Sequence, residues 1–297
     1  MKNKTCIIIC GATASGKTAA AIEVAKFYNT EIISADSRQC FKELGIAVAK
    51  PNAVELNIVP HHFINSHSIQ DNFTAADYES YALQTVENIF AKKDTAVLVG
   101  GTGLYIKAFT NGLDAIPPIA ESIKNEIVKN YTDFGIVWLQ EKIQQEDILF
   151  FEKGETQNPH RLIRALEVIR GTGKSILVQQ QNIKKERSFN IIKIGLELER
   201  DLLYNNINNR VDAMVAAGLL QEAKDLYQYR NLNALQTVGY RELFDAIDNK
   251  TTTDKAIELI KQNTRHYAKR QMTWFKKDAE ILWVKPHNIL EEIQKLY

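Results

Sequence analysis

The residues with the most specific chemistry in this 297-residue chain form the segment Gly-Ala-Thr-Ala-Ser-Gly-Lys-Thr at positions 11–18. Its two glycines allow the backbone to curl so that N–H groups point at phosphate oxygens, and the start of a helix adds a positive dipole end. Lys17 supplies a mobile cation, and the Thr18 hydroxyl is placed to coordinate Mg²⁺. This spacing predicts a phosphate-binding loop made of Gly11, Ala12, Thr13, Ala14, Ser15, Gly16, Lys17 and Thr18.

A candidate carboxylate follows the second apolar run of the chain. Asp36 stands directly after Glu31–Ala35, and parallel sheets bind ligands at the carboxyl ends of their strands. An aspartate at such a point can also serve only as a helix cap, so its position alone leaves catalysis open. The third run, Thr95–Val99, is followed by Gly100-Gly101-Thr102-Gly103 rather than by the aspartate that helps many P-loop nucleotide hydrolases hold Mg²⁺. The usual arrangement for ATP hydrolysis is therefore not evident.

Short apolar strands and helices must position these groups. We predict strands over Cys6–Cys10, Glu31–Ala35, Thr95–Val99, Ile191–Leu198 and Ile281–Val284, and helices over Lys17–Tyr28 and Ala75–Ala91. The order of the first elements forms βαβ units and predicts an α/β fold, a P-loop NTPase-like parallel sheet flanked by helices. Such a sheet brings the phosphate-binding loop and Asp36 to the same edge.

The strand pattern breaks around Asn111–Pro118, where Asn-Gly and Pro-Pro interrupt the chain. Helical periodicity then dominates from Glu121 to about Arg170. We therefore predict an all-helical insertion domain at 113–189 within a catalytic core formed by 1–112 and 190–297. Inside the insertion, Asn158 and Pro159 predict the start of a helix whose polar side is basic.

Composition narrows the class of protein. The 37 lysines and arginines balance 36 acidic residues, so the net charge of +1 identifies no polyanionic partner by itself. The apolar runs are far shorter than the roughly 18 residues of a membrane span, and the phosphate-binding loop follows the N-terminus too closely for a removable signal peptide. We expect a cytoplasmic protein that does not enter a membrane. Cys6, Cys10 and Cys40 are predicted to be reduced, packed thiols, because their spacing does not fit a zinc site.

Seven blocks of sequence occur in the order found in one enzyme family. They are Gly11–Thr18, Ser34–Gln39, Ala49–Pro51, Val99–Tyr105, Arg161–Glu167, Val238–Arg241 and Lys269–Trp274. Through these blocks, which span nearly the whole chain, it resembles the bacterial tRNA dimethylallyltransferases of the IPP transferase family. Many unrelated families share the phosphate-binding loop, whereas the complete set of blocks is far more specific.

The resemblance implies transfer of a five-carbon dimethylallyl group from dimethylallyl diphosphate to N6 of adenosine 37. This base lies beside the anticodon of tRNAs that read codons beginning with U. The phosphate-binding loop would then hold a diphosphate leaving group, with Mg²⁺ at Thr18, and the partner would be the tRNA anticodon stem-loop. The family's catalytic positions correspond to Asp36 as the base for N6, Thr102 near the acceptor base and Arg210 on the diphosphate. We expect a monomer.

The resemblance also implies a set of tRNA-binding residues. These are Asp36, Ser37, Arg38, Gln39, Thr102, Lys124, His160, Arg161, Leu162, Ile163, Arg164, Arg241, Arg265, Lys269 and Arg270. The stretch from Lys261 to Lys277 contains no acid and is interleaved with aromatic residues, which suits single-stranded RNA. A solvated basic helix with a packed aromatic side would show the same pattern.

Three positions depart from the family pattern, and other functions share part of it. Phe41, Val48 and Asn65 replace the family's common tyrosine, threonine and aspartate, which predicts altered polar contacts around the pocket. A P-loop kinase for a small metabolite would share the loop and the sheet. An adenylate isopentenyltransferase would use the same donor with a free nucleotide, and a non-enzymatic RNA-binding module would carry the loop as a relict.

Overall fold

The computed structural model describes residues 4–181 and 183–296. Six strands form one sheet in the order β3-β2-β4-β1-β5-β6, and each pairing between neighbours is parallel. The strands are β1 (Thr5–Gly11), β2 (Ile32–Ser34), β3 (His61–His62), β4 (Thr95–Gly100), β5 (Asn190–Leu196) and β6 (Ile281–Val284). The predicted α/β class, a parallel sheet flanked by helices with a helical insertion, is confirmed.

The central strand β1 is buried on both faces, which explains its unbroken apolar sequence. Ile7 and Ile9 pack into the core on one side of the sheet, while Cys6, Ile8 and Cys10 pack on the other. All three cysteines of the chain are buried and free, as expected. Burial raises the pKa of the Cys10 thiol to about 12, so this group remains a protonated packing residue at neutral pH.

Thirteen α-helices accompany the sheet in the described part of the chain. They are α1 (Lys17–Phe27), α2 (Ala53–Ile58), α3 (Ala75–Phe90), α4 (Gly103–Asn111), α5 (Glu121–Glu146), α6 (Ile148–Lys153), α7 (Pro159–Thr172), α8 (Ile176–Gln179), α9 (Arg200–Ala216), α10 (Leu219–Leu226), α11 (Tyr240–Ile247), α12 (Thr253–Phe275) and α13 (Ile289–Leu296). Within residues 4–181 and 183–296, none of these helices combines the length and apolar character needed to cross a membrane.

The contacts group the chain into two units, one formed by residues up to Thr110 and from Glu186 onward, the other by Asn111–Lys185. The second unit has its own core, in which Leu139, Leu162 and Leu166 are fully buried. Asn158 caps α7 by accepting a hydrogen bond from the His160 N–H, with proline in the first turn, so the predicted helix start is confirmed. The domain limits predicted from the sequence also include residues 1–3, 182 and 297, which lie outside the described residues.

Several short elements of the first unit were not predicted, and β3 and α13 are two of them. Strand β3 contains only two residues and therefore shows no periodicity. Helix α13 follows Pro286 and is eight residues long, and its Ile289 and Ile293 pack against the sheet core. Both elements depend on tertiary contacts more than on local sequence.

Candidate active site

The phosphate-binding loop connects β1 to α1 as predicted. Gly16 has φ of 87°, a left-handed conformation that favours glycine, and it directly precedes the first residue of α1. The Lys17 Nζ donates to the Ala12 carbonyl oxygen at 2.5 Å, so the side chain folds back over the loop. Two residues of α9 also hold the loop, since Asn206 donates to the Ala14 carbonyl and Arg210 to the Thr13 hydroxyl, each at 3.3 Å.

The electrostatics of this loop favour an anion. The pKa of Lys17 is lowered to about 8, chiefly by desolvation of its ammonium group and then by the charge of Arg210, while Asp36 opposes the change. No carboxylate in the described ranges forms an ion pair with Lys17 or Arg210. The buried Ser15 hydroxyl has no hydrogen-bond partner. A polyphosphate in the cavity supplies the negative charge that Lys17 and Arg210 lack.

The ends of β2 and β4 bring Asp36 and Thr102 together. The Thr102 N–H donates to the Ala35 carbonyl at 3.1 Å, and the Ser37 N–H donates to the Thr102 Oγ1 at 3.0 Å. Asp36 Oδ1 accepts hydrogen bonds from the N–H groups of Arg38 at 2.9 Å and Gln39 at 3.3 Å. This arrangement fixes the Asp36 carboxylate at the edge of the sheet, and within the described residues no hydrogen bond engages its Oδ2 atom.

Two adjoining cavities connect these groups. The first, of about 340 Å³, is lined by Lys17, Thr18, Asp36 and Arg210. The second, of about 330 Å³, shares Asp36 and Arg210 with the first. It adds Ser37, Arg38, Arg241 and Arg270. Asp36, Arg210 and most of the phosphate-binding loop therefore face a common space, whereas Thr102 lines neither cavity. The second cavity reaches Asp36 from the side of the basic residues.

The residues around the loop fit a magnesium ion that is held mainly by a phosphate ligand. Thr18 lines the first cavity beside Lys17. Among the residues that the structure describes, no three His, Cys, Asp or Glu side chains cluster as metal ligands. Mg²⁺ commonly takes few protein ligands and completes its shell with phosphate oxygens and waters, so the single Thr18 hydroxyl suffices as the chain's own ligand.

The predicted tRNA-binding residues of the first unit occupy different environments. Arg38, Arg241 and Arg270 line the second cavity. Gln39 donates from Nε2 to the carbonyl oxygens of Val48 at 3.2 Å and Ala49 at 3.0 Å, so it holds the wall shared by both cavities. Two others lie along α12: Arg265 donates to Asn208 at 2.7 Å, and Lys269 is exposed.

The acid-free stretch of α12 is less basic in the structure than in the sequence, because acids outside the stretch pair with two of its lysines. Lys261 pairs with Asp212 at 2.8 Å and with Glu258 at 3.1 Å. Lys276 pairs with Glu197 at 3.1 Å. The aromatic residues also divide: Phe275 is buried in the core, Tyr267 lines both cavities and Trp274 is exposed. Only part of this stretch therefore offers charge and stacking surface to RNA.

In the second unit, the predicted residues lie mostly on α7. His160 and Arg161 are exposed, and Arg164 pairs with Glu167 at 3.0 Å. Leu162 is fully buried in the core of the unit, and Ile163 packs partly against it. The Leu162 side chain is a core residue, so the predicted contact of Leu162 with tRNA is left to its backbone and stays a prediction. Lys124, on α5, pairs with Glu121 at 2.7 Å.

The three departures from the family pattern have limited effects on local contacts. Phe41 is buried in the core, where no hydroxyl is needed. Val48 contributes its carbonyl oxygen rather than its side chain to the contact with Gln39. Asn65 keeps a polar contact, since its Oδ1 accepts a hydrogen bond from the Lys50 ammonium group.

Several cavity residues were missed from the sequence. Gln271 comes from α12, Glu55 from α2 and His61 from β3. Tyr267 differs from these three, because it belongs to the aromatic residues of the acid-free stretch that was predicted to suit RNA. The only signal available was that Gln271 stands inside the block Lys269–Trp274, and no spacing rule connects it to the phosphate-binding loop.

Comparisons with known proteins match this geometry. The family model described as IPP transferase matches residues 39–278. A tRNA dimethylallyltransferase of Christiangramia forsetii is 48% identical over 277 residues, which cover 93% of this chain and 92% of the relative. The full-length tRNA isopentenylpyrophosphate transferase of Bacillus halodurans aligns with a TM-score of 0.72 and 35% identity over 99% of this chain and 95% of its own. A eukaryotic dimethylallyltransferase, described in snapshots of its action on tRNA, aligns with a TM-score of 0.76 and 25% identity over 95% and 74% of the two chains.

Proposed function

The chain belongs to the IPP transferase family of tRNA dimethylallyltransferases, and from that premise we propose that it prenylates N6 of adenosine 37 in tRNAs that read codons beginning with U. The donor is dimethylallyl diphosphate. One observation carries the proposal: a continuous space joins the anion-binding loop, with its unpaired Lys17 and Arg210, to the carboxylate of Asp36. The shared cavity supports an arrangement in which a leaving group and a proton acceptor reach the same reacting carbon.

The loop side of the cavity assists departure of diphosphate. When the bond between C1 of the prenyl group and the bridging oxygen breaks, its electron pair moves to the diphosphate, which gains negative charge. Lys17, Arg210 and the loop N–H groups stabilise that charge. The Thr18 hydroxyl would hold a Mg²⁺ ion, which would add electrostatic stabilisation of the leaving group.

The side of the cavity that carries Asp36 assists attack by adenine. The N6 lone pair is delocalised into the ring, so this nitrogen is a weak nucleophile until its proton begins to leave. We assign Asp36 as the general base that accepts this proton while N6 forms its bond to C1. Thr102, through its contact with Ser37, orders the edge where the base is received.

The tRNA partner must present an extruded base, and the protein has to offset the cost of unstacking it. Ser37, Arg38, Arg241 and Arg270 lie around the second cavity, which we propose as the entrance for the base. The exposed Arg161 of α7 supports a contribution from the helical unit, consistent with the predicted division into a catalytic core and a tRNA-contacting insertion.

One chain supplies every assigned catalytic group, so we propose that a monomer acts on tRNA in the cytoplasm.

The decisive experiment combines purified protein, Mg²⁺, dimethylallyl diphosphate and unmodified tRNA. Mass spectrometry of digested nucleosides should detect N6-dimethylallyladenosine at position 37. Parallel reactions with AMP as acceptor and with labelled ATP as donor test the two rival enzymes. Prenylation of AMP in preference to tRNA, or transfer of the labelled phosphate to a small metabolite, would contradict the proposal.

A further inference from the structure

Gln271 connects the phosphate-binding loop to the edge that carries Thr102. This residue of α12 is only 6% exposed. Its Oε1 accepts a hydrogen bond from the Thr13 N–H at 2.8 Å, and its Nε2 donates to the Gly101 carbonyl oxygen at 2.9 Å. One carboxamide therefore holds the loop after β1 and the turn after β4 at the same time.

The chemistry of both contacts requires a carboxamide. The Thr13 N–H needs an acceptor and the Gly101 carbonyl needs a donor, and a carboxamide provides one of each on a single rigid plane. A glutamate would retain the acceptor but face the carbonyl with a second oxygen, and a methionine would provide neither hydrogen bond. Because the Thr13 N–H is occupied by Gln271, the anion is left to the remaining N–H groups of the loop.

The glycine at position 101 is explained by the same side chain. A Cβ atom there would lie 2.2 Å from Gln271 Nε2, whereas the next atoms are Gln271 Cδ at 3.4 Å and the Gly11 carbonyl oxygen at 3.7 Å. The neighbouring Gly100 differs, because its Cβ would lie 2.1 Å from the Ala35 carbonyl oxygen. The missing side chain at Gly101 thus leaves room for Gln271, whereas the missing side chain at Gly100 leaves room for the backbone of Ala35.

We propose that Gln271 is a positioning residue that sets the separation between the diphosphate held by the loop and the acceptor edge at Thr102. The proposal rests on the proposed function, since the separation matters for a carbon that must pass from donor to acceptor. Misplacement of reacting groups by about 1 Å costs roughly 100-fold in rate. Gln271 therefore acts on the chemical step rather than on the affinity for either substrate.

The first test replaces Gln271 with methionine, which is similar in length but cannot form hydrogen bonds to both the Thr13 N–H and the Gly101 carbonyl. With both substrates saturating, we expect kcat to fall about 10- to 100-fold, while the dissociation constants for inorganic diphosphate and for tRNA change less than about threefold. Gln262→Met, at an exposed position of the same helix, serves as the matched control and should retain wild-type kcat. A normal kcat in Gln271→Met, or a loss confined to substrate affinity, would overturn the proposal.

A double-mutant cycle tests the connection by a second route, because Gly101→Ala disturbs the contact while the Gln271 side chain is still present. Gly101→Ala should lower kcat about as much as Gln271→Ala, because the new methyl group displaces the carboxamide. In the double variant the effects should not add, since the atom that the methyl group would strike has gone. Gly100→Ala, the control, should lower kcat by the same factor in the wild-type chain and in Gln271→Ala. Additive losses for Gly101→Ala and Gln271→Ala would show that the glycine serves another purpose.

Hydrogen exchange provides a readout that does not depend on prenyl transfer. In the wild-type chain, inorganic diphosphate should slow amide exchange both in residues 11–18 and in residues 100–103. In Gln271→Met, the protection should remain at 11–18 and be lost at 100–103. Protection of both segments in the variant would refute the coupling. A wild-type chain that shows the coupled protection but no prenylation of tRNA would instead refute only the proposed function.

Discussion

The positive charges of this chain occupy two contrasting environments. In the cavity, Lys17 and Arg210 are half-buried side chains that no carboxylate of the described residues neutralises. On the helical surfaces, Lys261 pairs with two acids, and Arg170 donates to Glu146 at 2.8 and 2.7 Å and to Glu126 at 3.1 Å. The same residue types therefore have different functions in the two regions.

The physical reason lies in the cost of desolvation. An enclosed cation without a counterion destabilises the folded chain, so its persistence indicates an anionic ligand. Lys261 and Arg170 are also partly buried, but largely exposed acids pair with them, each with a gain of only about 0 to 1 kcal/mol. Unpaired charge in a cavity thus identifies a binding site more reliably than a basic stretch of sequence does.

The largest effect should come from the carboxylate that faces the unpaired cations. Asp36→Ala should slow prenyl transfer about 100- to 10,000-fold, the usual contribution of general-base catalysis, while leaving tRNA affinity within about threefold. Single-turnover kinetics and filter binding separate the two quantities. Asp36→Asn is the matched control, because an asparagine can still accept the hydrogen bonds from Arg38 and Gln39. Substantial activity in Asp36→Asn would show that the residue only shapes the turn.

Removing a cation from the cavity should have the next largest effect. Lys17→Met preserves the length of the side chain but removes its charge, and we expect kcat/KM for dimethylallyl diphosphate to fall about 100- to 1,000-fold. Lys26→Met, at an exposed position in the last turn of the same helix, should change it less than twofold. Equal effects of the two substitutions would abolish the distinction between cavity and surface charges.

The sequence allowed the cavity to be predicted further than the surfaces. Residues 11–18 and Asp36 follow strands directly, so their position at one sheet edge follows from the parallel topology. Gln271 could not be assigned, because its partners Thr13 and Gly101 lie 258 and 170 residues away. The pairing of Lys261 with Asp212 of α9 was hidden in the same way, and burial of Leu162 depends on how the helices of its unit pack. Local spacing thus identifies the groups that a loop or strand end presents, while pairing and burial require the tertiary structure.

On the surface, the double substitution Arg161→Ala with Arg164→Ala should weaken tRNA binding about tenfold at low salt. If each arginine neutralises a phosphate, the slope of log affinity against log salt should decrease by about 1 to 2. Affinity for dimethylallyl diphosphate should remain unchanged. The control removes two positive charges from α5, Lys129 and Lys142, and should leave the slope as it is. An unchanged slope in the arginine variant would exclude this part of α7 from the tRNA contact.

A pH titration tests the role of the cavity cation Lys17 without a mutation. The pKa of Lys17 is about 8 in the ligand-free protein, so the side chain is charged below that pH and loses its proton above it. Because the anionic donor binds the charged form, the KM for dimethylallyl diphosphate should be flat up to about pH 8 and then rise towards tenfold per pH unit. The dependence should disappear in Lys17→Met. A KM that stays constant to pH 9.5 in the wild-type chain would show that Lys17 does not control donor binding.

The smallest effects should separate two lysines of the same helix. Lys261 is already paired with Asp212 and Glu258, whereas Lys269 is exposed and pairs with no acid in the described part of the chain. Lys269→Ala should therefore reduce the salt slope of tRNA binding by about 0.7 to 0.9, the value for one phosphate contact. Lys261→Ala should leave that slope unchanged and lower the free energy of unfolding by less than about 1 kcal/mol, because it removes only solvent-screened pairs. Equal effects of both lysines on the slope would show that pairing with acids does not decide which cations bind RNA. The acid-free stretch of sequence would then predict the RNA-binding cations better than the ion pairs do.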